Sequence, residues 1–521
     1  MPEQAVLRID EYLKSIQIRN KLNTDFLLEA NNDNFYLNDN LKFGGDWNDA
    51  TGNALTSGDT ISQRMRSPEY SFSNNFEWIK KTGKRHFGIH SFTAYNHISQ
   101  LLQVTPWLYD DLFPDINKDG KAVQNLNQSK FTTRNRINFG ENRFNLSMDF
   151  NVELQNMKTD LFPYSEPDLK NSADSLQNNL LWNRFEWQLH NFYGFNLGSK
   201  ISIYLGIPLR YMWLYQNNYI QNKHSGSGFF YIEPYLHINY QISPAWSAMG
   251  MYWIANNIGG ISNAYTSYIM TSYNEFVKNA GSLYKSLLQS SLLTIIYKNP
   301  FSTLFGSLSL NYSHSRINLL NDFTFQGILK VKSSINHPYA EKKFSTSAAI
   351  GKDIESLHSK ISLNATYINS QSAMISQAVF TNYHLNLISL YPRFTTQFGR
   401  FAILNYDMKY SFISSKIDFT RQNLPLIRTG SQLATINFFP VKNLSFSFSA
   451  EQFYNSQSRS MTFGDMGIKY TYKGADFMLD YTNIFNAKQY IYNSYSDISM
   501  YYYSYNLRPA EILLRVRHTI R

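Results

Sequence analysis

The stretch Phe144–Asn145–Leu146–Ser147–Met148–Asp149–Phe150–Asn151–Val152–Glu153–Leu154 decides the fold. Every even position is apolar: Phe144, Leu146, Met148, Phe150, Val152 and Leu154. Every odd position between them is polar: Asn145, Ser147, Asp149, Asn151 and Glu153. A period of two held over this length is a β-strand with one oily face and one wet face. The pattern recurs along the chain. Ile201, Ile203, Leu205, Ile207, Leu209, Tyr211 and Trp213 share one face of a second stretch. Ile232, Leu236, Ile238, Tyr240 and Ile242 share another, and Leu404, Tyr406, Met408, Tyr410 and Phe412 a further one. Shorter repeats fall at 308–312, 361–367, 444–448 and 477–481, with Ser, Asn, Thr, Asp, Lys and Gly on the facing positions. Helical signals are nearly absent. The best candidate, ISNAYTSYIMTSYNEFVKNA (261–280), is read as loop.

Tight turns punctuate these runs at NNDN (31–34), KTGK (81–84), GEN (140–142), NLGS (196–199) and SPA (243–245). Five more follow at KNP (298–300), KDIES (352–356), FGR (398–400), PVKN (440–443) and KGA (473–475). Between successive turns there is room for two strands and a longer connection rich in Asn, Ser and Tyr. Short turns on one side and long loops on the other describe a transmembrane β-barrel. Ten turns joining up-down hairpins predict about 22 strands, with a first hairpin near 5–30. The longest loops are expected near 48–68, 100–130, 156–178 and 255–280. A soluble sandwich or propeller would break into smaller domains with shorter strands, and this chain shows no linker and no repeat. The expectation is one barrel domain over 1–521, with strand 144–154 facing lipid through its even positions and a wet lumen through its odd ones. Trp78 and Trp246, beside turns, are candidates for an interfacial aromatic girdle.

Composition agrees with this architecture. Apolar residues make up 43% of the chain, and 38 Tyr and 38 Phe supply most of the aromatic 16%. Charged residues are sparse at 17%, against roughly 25% in soluble domains. The mean hydropathy of −0.37 is what barrel strands show when only alternate residues meet lipid. The formal charge of +10 is scattered, with no dense basic run, so no nucleic-acid partner is expected. No window of about 18 apolar residues predicts a membrane helix, and MPEQAVLRIDEYLKS at the start lacks the marks of a secretory signal. The absence of cysteine excludes disulfides, thiolate metal sites and cysteine nucleophiles.

Both ends of the chain carry further signals. Asn483–Ile484–Phe485–Asn486 with Tyr490, followed by Tyr505, Leu507, Arg508 and Pro509 before the last strand, resembles the end of TonB-dependent outer-membrane receptors of the Bacteroidota type. NFYLNDNLKFGGDWN and NNFEWIKKTGKRHFGIHSF look like early barrel strands of the same group. The resemblance implies a barrel in the outer membrane of a Gram-negative bacterium that takes up a nutrient. Its implied partners are outer-membrane lipid, a nutrient ligand, a plug domain, a TonB-type energy-coupling protein and a surface lipoprotein. A plug, a signal peptide, a carboxypeptidase-regulatory-like domain and an energy-coupling box are not recognised in the sequence. The last strand presents Ile512, Leu514, Val516, His518 and Ile520 outward and then ends in Arg521, where such barrels tend to carry an aromatic residue.

Signatures of catalysis are missing. The eleven histidines have no metal spacing, and neither H-E-x-x-H nor G-x-S-x-G occurs, so no enzyme, cofactor or metal site is expected. DINKDG (115–120) places Asp115, Asn117 and Asp119 before Gly120 as in the first half of a calcium loop. Position 12 holds Leu126 in place of the bidentate Glu, which leaves an ordinary acidic turn as the simpler alternative. The functional expectation is a nutrient receptor and transporter barrel. A passive porin-like channel with loops folded inward and a non-transporting surface adhesin are the alternatives.

Overall fold

The computed structural model describes residues 17–32, 34–56, 59–114, 120–141, 144–163, 174–326, 329–418, 426–456, 460–496 and 499–518. The first strands are β1 (Gln17–Asn32), β2 (Phe35–Thr56), β3 (Asp59–Thr82), β4 (Arg85–Thr105), β5 (Ala122–Glu141), β6 (Phe144–Pro163) and β7 (Gln177–Leu197). Each pairs antiparallel with the next. Then come β8 (Ile201–Gly206), β9 (Leu209–Asn218), β10 (Lys223–Ile232), β11 (Tyr235–Gln241) and β12 (Trp246–Ile258). The connection after β12 carries a short hairpin, β13 (Ile269–Ser272) and β14 (Glu275–Lys278). Antiparallel pairing resumes with β15 (Lys285–Asn299), β16 (Leu304–Gln326), β17 (Leu329–Ile354), β18 (Ser359–Ser376), β19 (Val379–Phe398) and β20 (Ala402–Ile417). It continues through β21 (Ile427–Val441), β22 (Leu444–Asn455), β23 (Met461–Tyr472) and β24 (Ala475–Thr482). A separate hairpin of β25 (Gln489–Ser496) and β26 (Ser499–Asn506) stands in the last loop, before β27 (Glu511–His518) returns to pair with β24.

Twenty-five of these strands form one sheet. β8 and β9 both pair with β7, and β11 and β10 lie on their other side, so each couple is one wall strand interrupted at Pro208 or Pro234. Removing one from the 25 for each of those two couples, and two more for β13 and β14 in their loop, leaves 21 wall strands, close to the expected 22. The first expected hairpin contributes its second arm as β1; residues 1–16 lie outside those described. All ten expected turns fall at junctions between paired neighbours. One of the two-residue turns joins β23 to β24 through Lys473 (φ 46) and Gly474 (φ 80), the two positive φ values that such a hairpin loop needs.

The two faces divide as the alternation requires. On β6, Met148, Phe150 and Leu154 are exposed, at 38%, 46% and 37%, whereas Asp149 and Glu153 are buried at 7% and 6%. The exposed apolar column continues sideways through Phe185 and Tyr193 on β7 and Tyr211 and Trp213 on β9. Such an inversion, oil outward and charge inward, is stable only against a lipid solvent. Aromatic side chains gather at the turn side. Trp78 packs against Phe35 and Phe87 at 6.4 and 5.8 Å, and Trp246 against Tyr297 at 4.7 Å. Phe301, Phe398 and Phe401 stand exposed at other turns of the same side, which is the placement of an interfacial girdle. On the last strand Ile512, Leu514 and Val516 are exposed as expected.

Some expected loops are strand. Residues 48–68 form the paired ends of β2 and β3, so the ladder continues past the apolar stretch. The 261–280 region is ordered, with a 3-10 turn at Ile261–Asn263 and the β13–β14 hairpin.

The Asn483–Asn486 element is structural. Asn483, 1% exposed with φ 51, donates from Nδ2 to the carbonyls of Ala487 at 3.0 Å and Arg508 at 2.8 Å. Its Oδ1 accepts the Ala487 N–H at 2.9 Å. One side chain thereby ties both stems of the last loop together ahead of β27. Asn483→Ala is expected to lower stability by on the order of 4 kcal/mol, about 1 kcal/mol for each of the three lost bonds plus a left-handed backbone penalty of about 1 kcal/mol. The check is the temperature at which the detergent-purified barrel loses its heat-modifiable gel mobility. An unchanged temperature would contradict the tethering role.

Candidate functional site: a charged lumen beneath a cover of loops

The inward face of β5, β6, β7 and β9 carries a ladder of opposite charges. Arg136 grips Asp149 with two guanidinium nitrogens at 2.7 and 2.6 Å, and His190 stands 3.4 Å from the same carboxylate. One step along, Glu153 accepts from Lys130 at 3.2 Å and Arg184 at 3.0 Å. Asn151 and Gln188 donate to Glu186, and Arg210 lies 4.0 Å from it. Arg210 also pairs with Glu233 at 2.8 Å and donates to the Asn256 carbonyl. Four carboxylates thus face four permanent cations. Buried carboxylates require such partners, and the bidentate Arg136–Asp149 fork is the strongest form of the pair. The mutual neutralisation leaves a hydrophilic wall rather than a strong field of one sign.

The same residues reinforce a weak point in the wall. Pro208 and Pro234 donate no N–H, which breaks the ladder between neighbouring strands. Side chains take over: Asn191 Oδ1 accepts the Ile207 N–H at 2.8 Å, and Glu233 Oε1 accepts the Asn256 N–H at 2.6 Å.

Above the lumen, three connections fold inward and pack on one another. The first is the stretch 106–114 after β4, whose Trp107, Tyr109 and Phe113 are buried. The second, 259–284, contributes Met270 and Phe276, with Tyr265 and Ile269 in an adjoining cluster. The third is the tip of the β16–β17 hairpin, where Leu320, Phe323 and Leu329 are buried beyond a register shift between Ile317 and Leu319. Phe276 lies edge-on to Tyr109 at 4.8 Å and to Phe113 at 5.8 Å. The Tyr109 hydroxyl donates to the Tyr273 carbonyl at 3.0 Å.

The second connection reaches opposite parts of the wall. On one side its backbone donates to Gln63 of β3 (from Tyr273, 2.7 Å), Gln124 of β5 (from Met270, 3.1 Å) and Asn178 beside the start of β7 (from Ser267, 3.0 Å). On the other side β14 pairs in parallel with Lys330–Ser333 of β17, and Glu275 meets Lys330 at 3.1 Å. β5 and β17 are eight wall strands apart, roughly 40 Å of sheet at about 4.8 Å per strand. The connection is therefore a strap over the mouth. A cleft of about 320 Å³ opens beside it, lined by Leu112, Tyr268, Lys278, Asn279, Thr324 and Gln326. The Lys278 ammonium sits 4.8 Å over the Tyr268 ring.

Of the expected ligand loops, 100–130 and 255–280 meet in this cover. Residues 164–173 of the 156–178 loop lie outside the described residues, and 48–68 is sheet. Asp115, Asn117 and Asp119 of the calcium-like turn also lie outside them; Gly120 has φ 119. Asp149 and Glu153 stand on the lumen side expected of the odd positions of 144–154, whereas their partners Arg136, Lys130 and Arg184 carried no signal of the pairing. The strap had no such signal, because its apolar residues follow neither a two- nor a 3.6-residue period.

No family model and no curated protein matches the sequence. Solved structures do match the fold. The crystal structure of the ferric citrate transporter FecA in its unliganded form aligns with a TM-score of 0.51 at 10% identity, covering 96% of this chain and 75% of that one. The copper transporter OprC aligns at 0.50 and 9% identity, over 84% of this chain and 73% of that one. The chain has the all-β barrel fold of the TonB-dependent outer-membrane receptors.

Burial holds the phenols of the cover protonated: Tyr109 is pushed well above the usual range, and Tyr265 is pushed up to about 12 against an opposing hydrogen bond with Asn279. Groups raised in the folded state stabilise it fully below their ordinary value, near 10, and lose that contribution as pH rises through the folded value. The strap is expected to resist external protease at neutral pH and to become cleavable within 261–283 above about pH 10. Phe276→Ala is expected to produce the same cleavage at neutral pH, since the lost packing costs about 3–5 kcal/mol. Equal protection in both proteins at all pH values would contradict a packed cover.

Proposed function

We propose that this chain is the barrel of an outer-membrane receptor and transporter of the TonB-dependent type, which admits a hydrophilic nutrient too large for general porins. The observation that carries the proposal is the strap: a packed lid over a lumen lined with polar and charged side chains. A wall of paired charges exchanges hydrogen bonds with a passing solute without trapping an ion of either sign. The cleft beside Tyr268 and Lys278 offers an aromatic face and a cation, a pairing suited to a solute with a ring and an anionic group. In this account the nutrient binds at the cover and shifts the strap. A plug and a TonB-type coupling protein would supply the energised step, and a surface lipoprotein could deliver the solute.

A passive channel is the second proposal, favoured by the same inward fold of 259–284, which would then act as a fixed constriction. Conductance in planar bilayers tests both. The intact chain is expected to conduct weakly, and replacement of 261–283 by a short Gly-Ser linker to raise conductance several-fold. A nutrient that raises conductance of the intact chain supports the receptor; a steady conductance indifferent to added solutes supports the channel. Silence of both proteins would overturn both in favour of a surface adhesin.

A further inference from the structure

The outward face of β2 to β5 departs from the rule that the rest of the wall obeys. The ladders set Leu37, Trp78, Ile89 and Ile137 side by side in one row near the turns. Nearer the loops Phe43, Phe72, Tyr95 and Phe131 form another. Between them lie two rows of different character: Asp39, Phe76, Ser91 and Asn135, then Leu41, Asn74, Thr93 and Thr133. Alternate residues of a strand share a face, and the apolar members of these columns are exposed, Phe43 at 45%, Tyr95 at 42% and Ile137 at 43%. Thr132, which points the other way on β5, is buried. The six polar side chains therefore face outward, inside the apolar band. They are bonded to one another. Asn74 Nδ2 donates to Asp39 Oδ1 at 2.6 Å, the Ser91 hydroxyl to Asn135 Oδ1 at 2.7 Å, and Asn135 Nδ2 to the Thr133 hydroxyl at 3.0 Å. The Thr93 hydroxyl donates to that of Thr133 at 3.3 Å.

Ser91 and Asn135 each stand six residues from the turn end of their strand, at Arg85 and Glu141. That is about 14 Å of height for about 3.4 Å per residue at a tilt of about 45°, the middle of an apolar band about 25 Å tall. Acyl chains offer a carboxyl or an amide no partner, and headgroups are too far away. Polar groups held at this depth are costly against lipid and are matched by another polar surface. The patch is its own match, because its carboxyl and amide oxygens accept hydrogen bonds while its amide nitrogens and hydroxyls donate them. A surface with both roles meets the requirement of a two-fold contact, in which the same residues meet from both sides. We propose that the outward face of β2 to β5 is a dimer interface within the membrane, where this patch meets the same patch of a second copy about an axis along the membrane normal. The flanking rows of Ile89, Ile137, Tyr95 and Phe131 pack around it. The interface is independent of any cargo in the lumen.

The chain has no cysteine of its own, so single thiols report the contact. Lys84→Cys lies in the turn between β3 and β4, beside the proposed axis, and Arg400→Cys lies in the turn after β19, about half the wall away. Each full-length protein is reconstituted in vesicles at high dilution in lipid and treated with a short bis-maleimide. Lys84→Cys is expected to give a cross-linked dimer on a denaturing gel, and Arg400→Cys to remain monomeric. Adding Asp39→Leu/Asn74→Leu/Asn135→Leu to Lys84→Cys is expected to lower cross-linking at least about ten-fold, since each copy loses several polar contacts, while heat-modifiable mobility is kept. Thr93→Val/Thr133→Val, nearly unchanged in shape, is expected to give an intermediate loss and provides the comparison should the leucine variant fold poorly. A monomeric Lys84→Cys protein, equal cross-linking of both cysteines, or undiminished cross-linking in the substituted patches would each overturn the proposal.

Discussion

The structure depends on one constraint: in hydrocarbon, backbone N–H and C=O groups have no water to turn to and must bond to each other. Strands paired on both sides meet it, and the wall strands between β1 and β27 do so over most of their length. Once the backbone is satisfied, each side chain has only two directions available. Apolar ones turn to the lipid and polar ones to the lumen, so the period of two is a record of the solvent on each side. Where the ladder is interrupted, at Pro208 and Pro234, Asn191 and Glu233 supply the missing acceptors. The constraint is met there by side chains in place of backbone.

Outside the hydrocarbon the constraint relaxes and a different physics takes over. Water can satisfy loop backbones, so the loops are free to seek apolar burial, and they find it in each other. Tyr109, Met270, Phe276 and Leu329 come from three connections far apart in sequence and make a core where a soluble protein would have one. The molecule is thus two systems stacked: a wall organised by lipid and a cover organised by water. Transport, in the proposed account, is the coupling between them, because a solute must disturb the cover before it meets the Arg136, Glu153 and Arg210 network below.

The wall was legible in the sequence for this reason. Alternation from Phe144 to Leu154 named both faces, and each tight turn lies where two wall strands meet. The errors begin where lipid no longer dictates the pattern. Residues 48–68 read as loop because a ladder in water needs no oily face, and Asp46, Asn48 and Asp49 sit in good register with β3 all the same. The strap was invisible because its stability comes from contacts to Gln63, Gln124 and Lys330, and nothing local encodes them. Asn483 shows the opposite case. Its motif carried the resemblance to a receptor family, and its physical task is to hold two loop stems together.

Residues 144–154 alternate between lipid and lumen, and the chain's lack of cysteine makes that alternation directly measurable. Single cysteines placed at each position, spin-labelled and reconstituted in vesicles, report collision with dissolved oxygen, which concentrates in lipid. High oxygen accessibility is expected at Phe144, Leu146, Met148, Phe150, Val152 and Leu154, and low values at the five positions between them. A flat profile, or a maximum on the Asp149 and Glu153 side, would contradict it.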